Sequence, residues 1–338
     1  MNFRKIGLSE IEASVIGFGA WAIGGWMWGG TEEQSAIAAI HTAIDNGVNL
    51  IDTAPMYGYG RSEEIIGKAI KGKRNKIVLA TKCGLVWDTA DWKEGKGELH
   101  FYSDNDTIVK ENKNTYRVYK YLRPESIRNE VEQSLKRLNS DYIDILQTHW
   151  QEATTPLDDT IGELIRLKKE GKIRAIGCSN VNIKQLNTYI KSGQLDVDQE
   201  RFSLLDKNII QDGLLDACEK SNVSIFAYSP LANGLLTGKL TTQREFGKGD
   251  LRTSNPRFQP ENVRKINEKL EQLKPLAQSH NLTIVQLIIA WTAAKYQKIH
   301  VLCGMRNTKQ AAENSKAGNI TLTNDEVKII EETFGNLS

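Results

Sequence analysis

Eight short apolar runs, each separated from the next by a longer polar or amphipathic stretch, limit what this chain can fold into more than any single motif does. The runs are Val15–Gly19, Leu50–Thr53, Ile77–Lys82, Ile143–His149, Ala175–Ser179, Val197–Phe202, Ser224–Ser229 and His300–Gly304. Near-continuous apolar character is what strands buried on both faces require, and helical crossovers between such strands dictate a parallel sheet. Helical periodicity falls at Glu32–Asn46, Glu63–Ile70, Pro124–Leu138, Leu157–Glu170, Ile183–Lys191, Ile210–Lys220, a pair within Glu261–Gln297, and Thr308–Lys316. Gly47 and Gly171 stand just past two of these helices, and Ser62 is placed to cap the start of another. Eight strand–helix units close into an α/β fold, the (β/α)8 TIM barrel. Two pieces fall outside that scheme: a hairpin over Phe3–Glu12 around Gly7, and a trailing helix at Asn324–Phe334. No linker or fixed-period repeat divides the chain, so residues 1–338 read as one domain.

A barrel keeps its chemistry at the carboxyl ends of its strands. The second run ends in Asp52, with Tyr57 beyond it in a turn bordered by Gly58 and Gly60; the third ends in Lys82 and the fourth in His149. Taken singly, Lys82 reads as a surface charge, His149 as a satisfied core imidazole and Asp52 as a helix cap. Together on one face they make a proton donor. A phenol near its ordinary value of ~10 is a poor acid at neutral pH, an adjacent ammonium stabilises the phenolate and lowers that value, and a carboxylate holds the ammonium in place. An imidazole can hydrogen-bond the carbonyl that receives the proton.

Composition excludes other classes. The formal net charge is only +2, which supplies no field for nucleic acid or anionic lipid. With 40% hydrophobic and 25% charged residues the chain is average for a soluble protein, and no apolar run approaches the ~18 residues of a membrane span, so cytoplasm is the expected compartment. The cysteines Cys83, Cys178, Cys218 and Cys303 lack CxxC spacing, and the histidines lack ligand spacing, so neither a disulfide framework nor a metal site is expected.

The chain resembles the aldo-keto reductase superfamily over nearly its whole length. The matching motifs are GFGAW at 17–21, LIDTAPMYGYGRSEE at 50–64, TK at 81–82, SLKRLNSDYIDILQTHW at 134–150, GKIRAIGCSN at 171–180, YSPLANGLLTGK at 228–239 and GMRNTKQAAEN at 304–314. The resemblance implies that Tyr57 is the general acid, that Lys82 and Asp52 tune it, and that His149 orients a small carbonyl substrate. It also implies NADPH, bound without a Rossmann domain. Gly19, Ala20, Trp21 and Asp52 would lie against the cofactor, Ser179, Asn180 and Gln199 would hold its carboxamide, and Tyr228 would stack under its nicotinamide. Ser229, Pro230, Leu231, Asn233, Gly234 and Lys239 match the pyrophosphate loop; Gly304, Arg306, Thr308, Gln310, Glu313 and Asn314 match the adenosine end. Other readings within this resemblance are a redox-sensing module like the potassium-channel β subunits, and an oxidising sugar or inositol dehydrogenase.

Physically, Arg306 offers a planar fork to a phosphate at the start of a helix, which favours NADPH, while Asn307 stands where a second basic residue is common. The GxGxxA match at Gly17–Ala22 is discounted because glycines up to Gly30 keep the chain in a loop, and Tyr116 with Lys120 matches YxxxK by chance. The stretch from Cys83 to Arg123 is long for a βα loop and rich in aromatics, with Asp104-Asn105 placed to turn a hairpin between ELHFY and TIVK. It reads either as a partial lid or as simple packing. As a lid, Trp87 would join Trp21, Trp26, Tyr57, His149 and Trp150 around a substrate cup, with Met27 and Trp28 nearby.

Overall fold

A computed structural model describes residues 1–30, 32–89, 96–103, 116–247 and 249–335. Strands β1 (Phe3–Lys5) and β2 (Glu12–Ser14) pair antiparallel as the expected hairpin. The barrel consists of β3 (Ile16–Gly19), β4 (Leu50–Asp52), β5 (Val78–Cys83), β9 (Ile143–Thr148), β10 (Ile173–Ser179), β11 (Leu195–Arg201), β12 (Ser224–Tyr228) and β13 (Ile299–Gly304). All eight pair parallel, in the closed order β10-β11-β12-β13-β3-β4-β5-β9. Each run expected from the sequence is one barrel strand. Helices α1 (Glu33–Asp45), α2 (Arg61–Ala69), α3 (Pro124–Leu138), α4 (Leu157–Lys169) and α5 (Ile183–Lys191) follow the same alternation.

The later helices are more broken than their periodicity indicates. The stretch 210–220 divides into α6 (Asn208–Gln211) and α7 (Leu214–Lys220) at Gly213, whose φ is +76°. The expected pair after Glu261 is three helices, α8 (Pro260–Gln272), α9 (Lys274–Ser279) and α10 (Ile284–Ala294). Pro275 in the first turn of α9 has no N–H to continue the α8 ladder. The barrel then finishes with α11 (Thr308–Ser315) and the trailing α12 (Asn324–Phe334), which buries Ile330 and Phe334. Among the described residues no helix is long and apolar enough to cross a membrane.

Two apolar layers hold this arrangement. Leu50, Val78, Ala80, Ile145, Ala175, Val197, Phe226 and Leu302, from seven of the barrel strands, form one cluster with Ile6, Ile11 and Ala13 of the hairpin segment. The hairpin thus closes the barrel floor, and Gly7 is essential to its seat: at φ +52°, a Cβ there would lie 2.5 Å from the Asp196 backbone. A larger cluster joins the outer strand faces to the helices. Ser62 does not cap α2. Gly60 occupies that position, and the buried Ser62 hydroxyl pairs with Thr53 (2.8 Å) and donates to the Ala20 carbonyl (3.1 Å), tying the helix to two strand ends.

The long insertion between β5 and α3 forms its own antiparallel sheet of β6 (Leu85–Thr89), β8 (Tyr116–Lys120) and β7 (Glu98–Ser103), in that order. Its strands pair with one another and with no barrel strand. The insertion enters and leaves at one place, where Tyr121 N–H donates to the Gly84 carbonyl at 3.1 Å. The ELHFY run is β7, and its partner is β8; Asp104, Asn105, the TIVK run and Trp92 lie outside the described residues.

Candidate active site

Adjacent parallel strands set the register Asp52↔Ala80 and Lys82↔Gln147, which brings the Asp52 carboxylate and the Lys82 ammonium together at the barrel mouth. Lys82 Nζ donates to both Asp52 oxygens (3.0 and 2.8 Å), to the Thr53 carbonyl (2.8 Å) and to the Tyr57 hydroxyl (3.1 Å). Lys82 is 1% exposed and Asp52 3%. Such a pair is tolerable only when its remaining lone pairs are also satisfied. Here Gln147 and Gln199 both donate to Asp52 Oδ1, at 3.0 and 2.8 Å. These two amides were not anticipated in that role. Strand alternation did carry the signal, since Gln147 sits two residues before His149 and so faces the same way.

Tyr57 comes from the loop after β4, and that loop is fixed by contact between two backbones. A Cβ on Gly24 would lie 2.5 Å from the Tyr57 carbonyl oxygen, and one on Gly58, at φ +72°, would lie 2.3 Å from the Gly24 oxygen. Gly24 closes a 3-10 turn, Trp21–Gly24, so the segment after β3 is not all loop as its glycines indicate; it still begins no α-helix. The Tyr57 and His149 rings stand edge to face, 5.8 Å apart.

Burial decides the electrostatics. It pushes the Tyr57 phenol well above its usual value, and the Asp52 charge adds to the rise, so the expected lowering by Lys82 is overturned. Burial likewise pulls Lys82 below its usual value against the opposing pull of Asp52. Burial, then Lys82 and His100, hold His149 well below 6.5, which keeps its imidazole neutral.

The neighbouring strand ends form a second network. Ser179 Oγ donates to the Gln199 carbonyl (2.7 Å), Asn180 Nδ2 donates to the His149 carbonyl (2.9 Å) and to Ser179 Oγ (3.0 Å), and the Tyr228 hydroxyl donates to Asn180 Oδ1 (2.8 Å). Beyond β12, Asn233 (φ +55°) and Gly234 (φ +105°) bend the loop around the mouth, and Lys239 reaches Glu313 at 2.7 Å. Arg306 donates to the Gly30 carbonyl at 2.7 Å, Gln310 Oε1 accepts from the Arg306 N–H, and Asn314 donates to the Gly304 carbonyl. Asn307 is occupied as a helix cap, accepting from Gln310 N–H at 3.0 Å.

One cleft of about 670 Å³ joins these parts, lined by Asp52, Tyr57 and His149 at one end and by Arg306, Gln310, Glu313 and Asn314 at the other. Gly19, Ala20, Trp21, Ser179, Asn180, Gln199, Tyr228, Ser229, Pro230, Leu231, Asn233, Gly234, Lys239 and Gly304 line it between, with Trp26 and Trp150 on the wall. Lys82 lies beneath the floor. Thr308 and Trp87 are not brought to the cleft. Thr308 follows the cap of α11, while Trp87 packs edge to face on Tyr59, 5.4 Å away, within the insertion. Lining residues that sequence reasoning missed include Arg201, Arg244, Arg252 and His100, while Phe101 comes from the aromatic insertion expected to form a lid. Above the cleft, Trp28 and Asp250 form an antiparallel bridge, and Leu251 N–H donates to the Met27 carbonyl at 3.1 Å. Arg252 pairs with Asp250 at 2.6 Å, and its proximity, after burial itself, helps to lower the Arg306 pKa.

A closed parallel barrel with a buried carboxylate–ammonium–phenol chain at the mouth of a long cleft defines a class: a (β/α)8 barrel with its polar site at the carboxyl ends of the strands. The chain belongs to the aldo/keto reductase family, whose model matches residues 15–334. It is 40% identical to the NADH-specific methylglyoxal reductase of Escherichia coli (strain K12), over 98% of each chain. It is 32% identical to the NADP(+) aldo-keto reductase yakc of Schizosaccharomyces pombe, over 98% of this chain and 91% of that one. Among solved structures, the glycerol dehydrogenase of Gluconobacter oxydans superimposes with a TM-score of 0.84 at 35% identity, over 98% of this chain and 94% of that one.

Proposed function

We propose that the chain reduces aldehydes and ketones to alcohols, using a nicotinamide dinucleotide and Tyr57 as the proton donor. The observation that carries this reading is the Tyr57 hydroxyl 3.1 Å from an ammonium that Asp52 holds at 2.8 Å, beside a neutral His149 on the cleft floor. The residues fit such a cofactor. An elongated cleft leads from the proton donor to a basic end with Arg244, Arg252 and Arg306, passing the Tyr228 ring and the polar groups of Ser179, Asn180 and Gln199. Ser179, Asn180, Gln199 and Tyr228 would hold the nicotinamide end, residues 229–239 the pyrophosphate, and Arg306 with Gln310, Glu313 and Asn314 the adenosine end. When bound, the reduced nicotinamide supplies the hydride.

The chain's own groups supply the rest. His149, neutral, donates a hydrogen bond that orients the carbonyl oxygen. Tyr57, protonated throughout the neutral range because burial raises its pKa, gives its proton to that oxygen as it becomes an alkoxide, which is a stronger base than a phenolate. The Lys82 ammonium stabilises the phenolate left behind.

The preferred cofactor is NADPH, because Arg306 spends one nitrogen on Gly30 and keeps further N–H donors for a 2′-phosphate. The advantage over NADH rests on Arg306, since Asn307 turns to cap its helix and adds no second charge. The resemblance to a glycerol dehydrogenase favours a second reading for direction: the same relay run backwards, with a Tyr57 phenolate taking the alcohol proton. A screen of NADPH and NADH oxidation across methylglyoxal, aldoses, ketoses and aryl aldehydes, with the reverse assay on glycerol, tests both directions. Turnover that survives Tyr57→Phe unchanged would sink the assigned role.

A further inference from the structure

The floor of the cleft holds more hydrogen-bonding groups than one carbonyl oxygen can use. On the reductase reading, Tyr57 and His149 take both lone pairs of the reacting oxygen. His100 is then left over. It belongs to β7, in the inserted sheet outside the barrel, yet it lines the cleft together with Tyr57 and His149. Its ring lies 5.3 Å from that of Trp150, the residue after His149, and 5.1 Å from that of Phe101. No hydrogen bond within the described residues reaches either of its ring nitrogens.

We infer that His100 is a specificity-determining residue whose imidazole receives a second oxygen on the carbon next to the reacting carbonyl, so that the preferred substrates are short α-hydroxy- and α-oxoaldehydes. The inference rests on the reductase reading of the site. Burial and then Lys120 hold the His100 pKa below 6.5, so at neutral pH the ring has one donor and one acceptor nitrogen. It can therefore serve a hydroxyl, which does both, or a carbonyl, which only accepts. Aromatic rings pack against the imidazole: Phe101, on which Trp26 stacks at 5.6 Å, and Trp150. That aromatic wall suits a small carbon tail. A substrate without the neighbouring oxygen leaves the imidazole unpaired on binding, which is how a polar site discriminates more sharply than an apolar one.

The test uses the full chain and three aldehydes that share a three-carbon skeleton: propanal, lactaldehyde and methylglyoxal. Steady-state kcat and KM are measured for wild type, His100→Phe and His100→Gln with NADPH and with NADH. Dividing each variant by wild type, substrate by substrate, removes differences in intrinsic reactivity. His100→Phe keeps an aromatic ring against Trp150 and Phe101. It should lower kcat/KM for lactaldehyde and methylglyoxal by roughly 3- to 10-fold, mostly through KM, and leave propanal within about twofold. His100→Gln, which keeps a donor and an acceptor, should recover part of that loss. An equal fall on all three substrates would show that His100 only packs the wall, and no fall on any would show that it touches no substrate. Both results overturn the inference while propanal turnover leaves the reductase reading standing. Failure of the wild type on every carbonyl compound removes that reading itself.

Discussion

Asp52→Asn keeps the shape of the buried carboxylate and removes its charge, so its cost can be worked from four hydrogen bonds. Asp52 Oδ1 accepts from Lys82, Gln147 and Gln199, and Oδ2 accepts from Lys82 at 2.8 Å. An amide must put its NH2 on one side or the other. At Oδ1 it faces three donors, and at Oδ2 it faces the ammonium, so the better rotamer still loses the stronger Lys82 bond and the charge behind it. Removing one partner of a buried ion pair typically costs about 3–5 kcal/mol. With an unfolding entropy of about 2.1 cal/mol/K per residue over 338 residues, each kcal/mol is worth roughly 1.4 °C, so Tm should fall by roughly 4–7 °C. The loss depends on pH in a defined sense. Burial already depresses the native Lys82 pKa and Asp52 opposes it, so the variant's lysine is depressed further below its unfolded value near 10.5. Between those two values the unfolded chain binds the proton and the native chain does not, so the variant gains stability as pH rises through that window. The Tm gap to wild type should therefore be widest near pH 6 and narrow toward pH 10, as read by scanning calorimetry at matched ionic strength. A gap that is flat over that range, or one that widens with pH, would refute the placement of an ammonium on Lys82.

Tyr57→Phe should lower kcat by about 10²–10⁴-fold while NADPH affinity, followed by fluorescence titration, stays close to wild type. Near-wild-type hydride transfer in a single turnover contradicts the assignment. Arg306→Ala should raise the Kd for NADPH by roughly 10- to 150-fold and that for NADH far less, because one charge-assisted hydrogen bond is worth about 1.5–3 kcal/mol; equal losses remove the 2′-phosphate assignment. Because the native His149 pKa lies well below 6.5, its protonation should put no break in the kcat profile between pH 6 and 8. A break near 6.5 that disappears in His149→Gln would show a charged imidazole instead.

What the amino-acid order reveals and what it hides follows from burial. All eight barrel strands are legible because both faces of each are covered, which leaves apolar runs; even β4, only Leu50–Asp52, is readable from its neighbours. The inserted sheet was not legible as three strands. Its strand β7 mixes exposed Glu98, Leu99 and Tyr102 with half-buried His100 and Phe101, so no clean alternation marks it, and β8 pairs with both neighbours across long sequence gaps that no local pattern records. Asp52 and Lys82 stand out as polar residues at the ends of apolar runs, with Tyr57 and His149 just beyond two such ends. Arg252 and His100 enter the cleft by tertiary contact alone, from a distant loop and from the insertion, while Gln147 supports Asp52 from within a barrel strand. The direction of the Tyr57 pKa was also hidden. Proximity to Lys82 can be inferred from strand order, but the desolvation that outweighs it exists only once the walls are assembled.

The Gly84–Tyr121 junction has a consequence for how such a chain diversifies. Because the insertion departs and returns at a single hydrogen-bonded point, its length and composition can change without altering the register of any barrel strand. Asp52, Lys82 and Gln147 owe their positions to that register, while His100 and Phe101 owe theirs to the insertion. Variation confined to residues 85–120 therefore leaves the strand register that sets Asp52, Lys82 and Gln147 in place, and, on the proposed role of His100, changes which carbonyl compounds the cleft accepts.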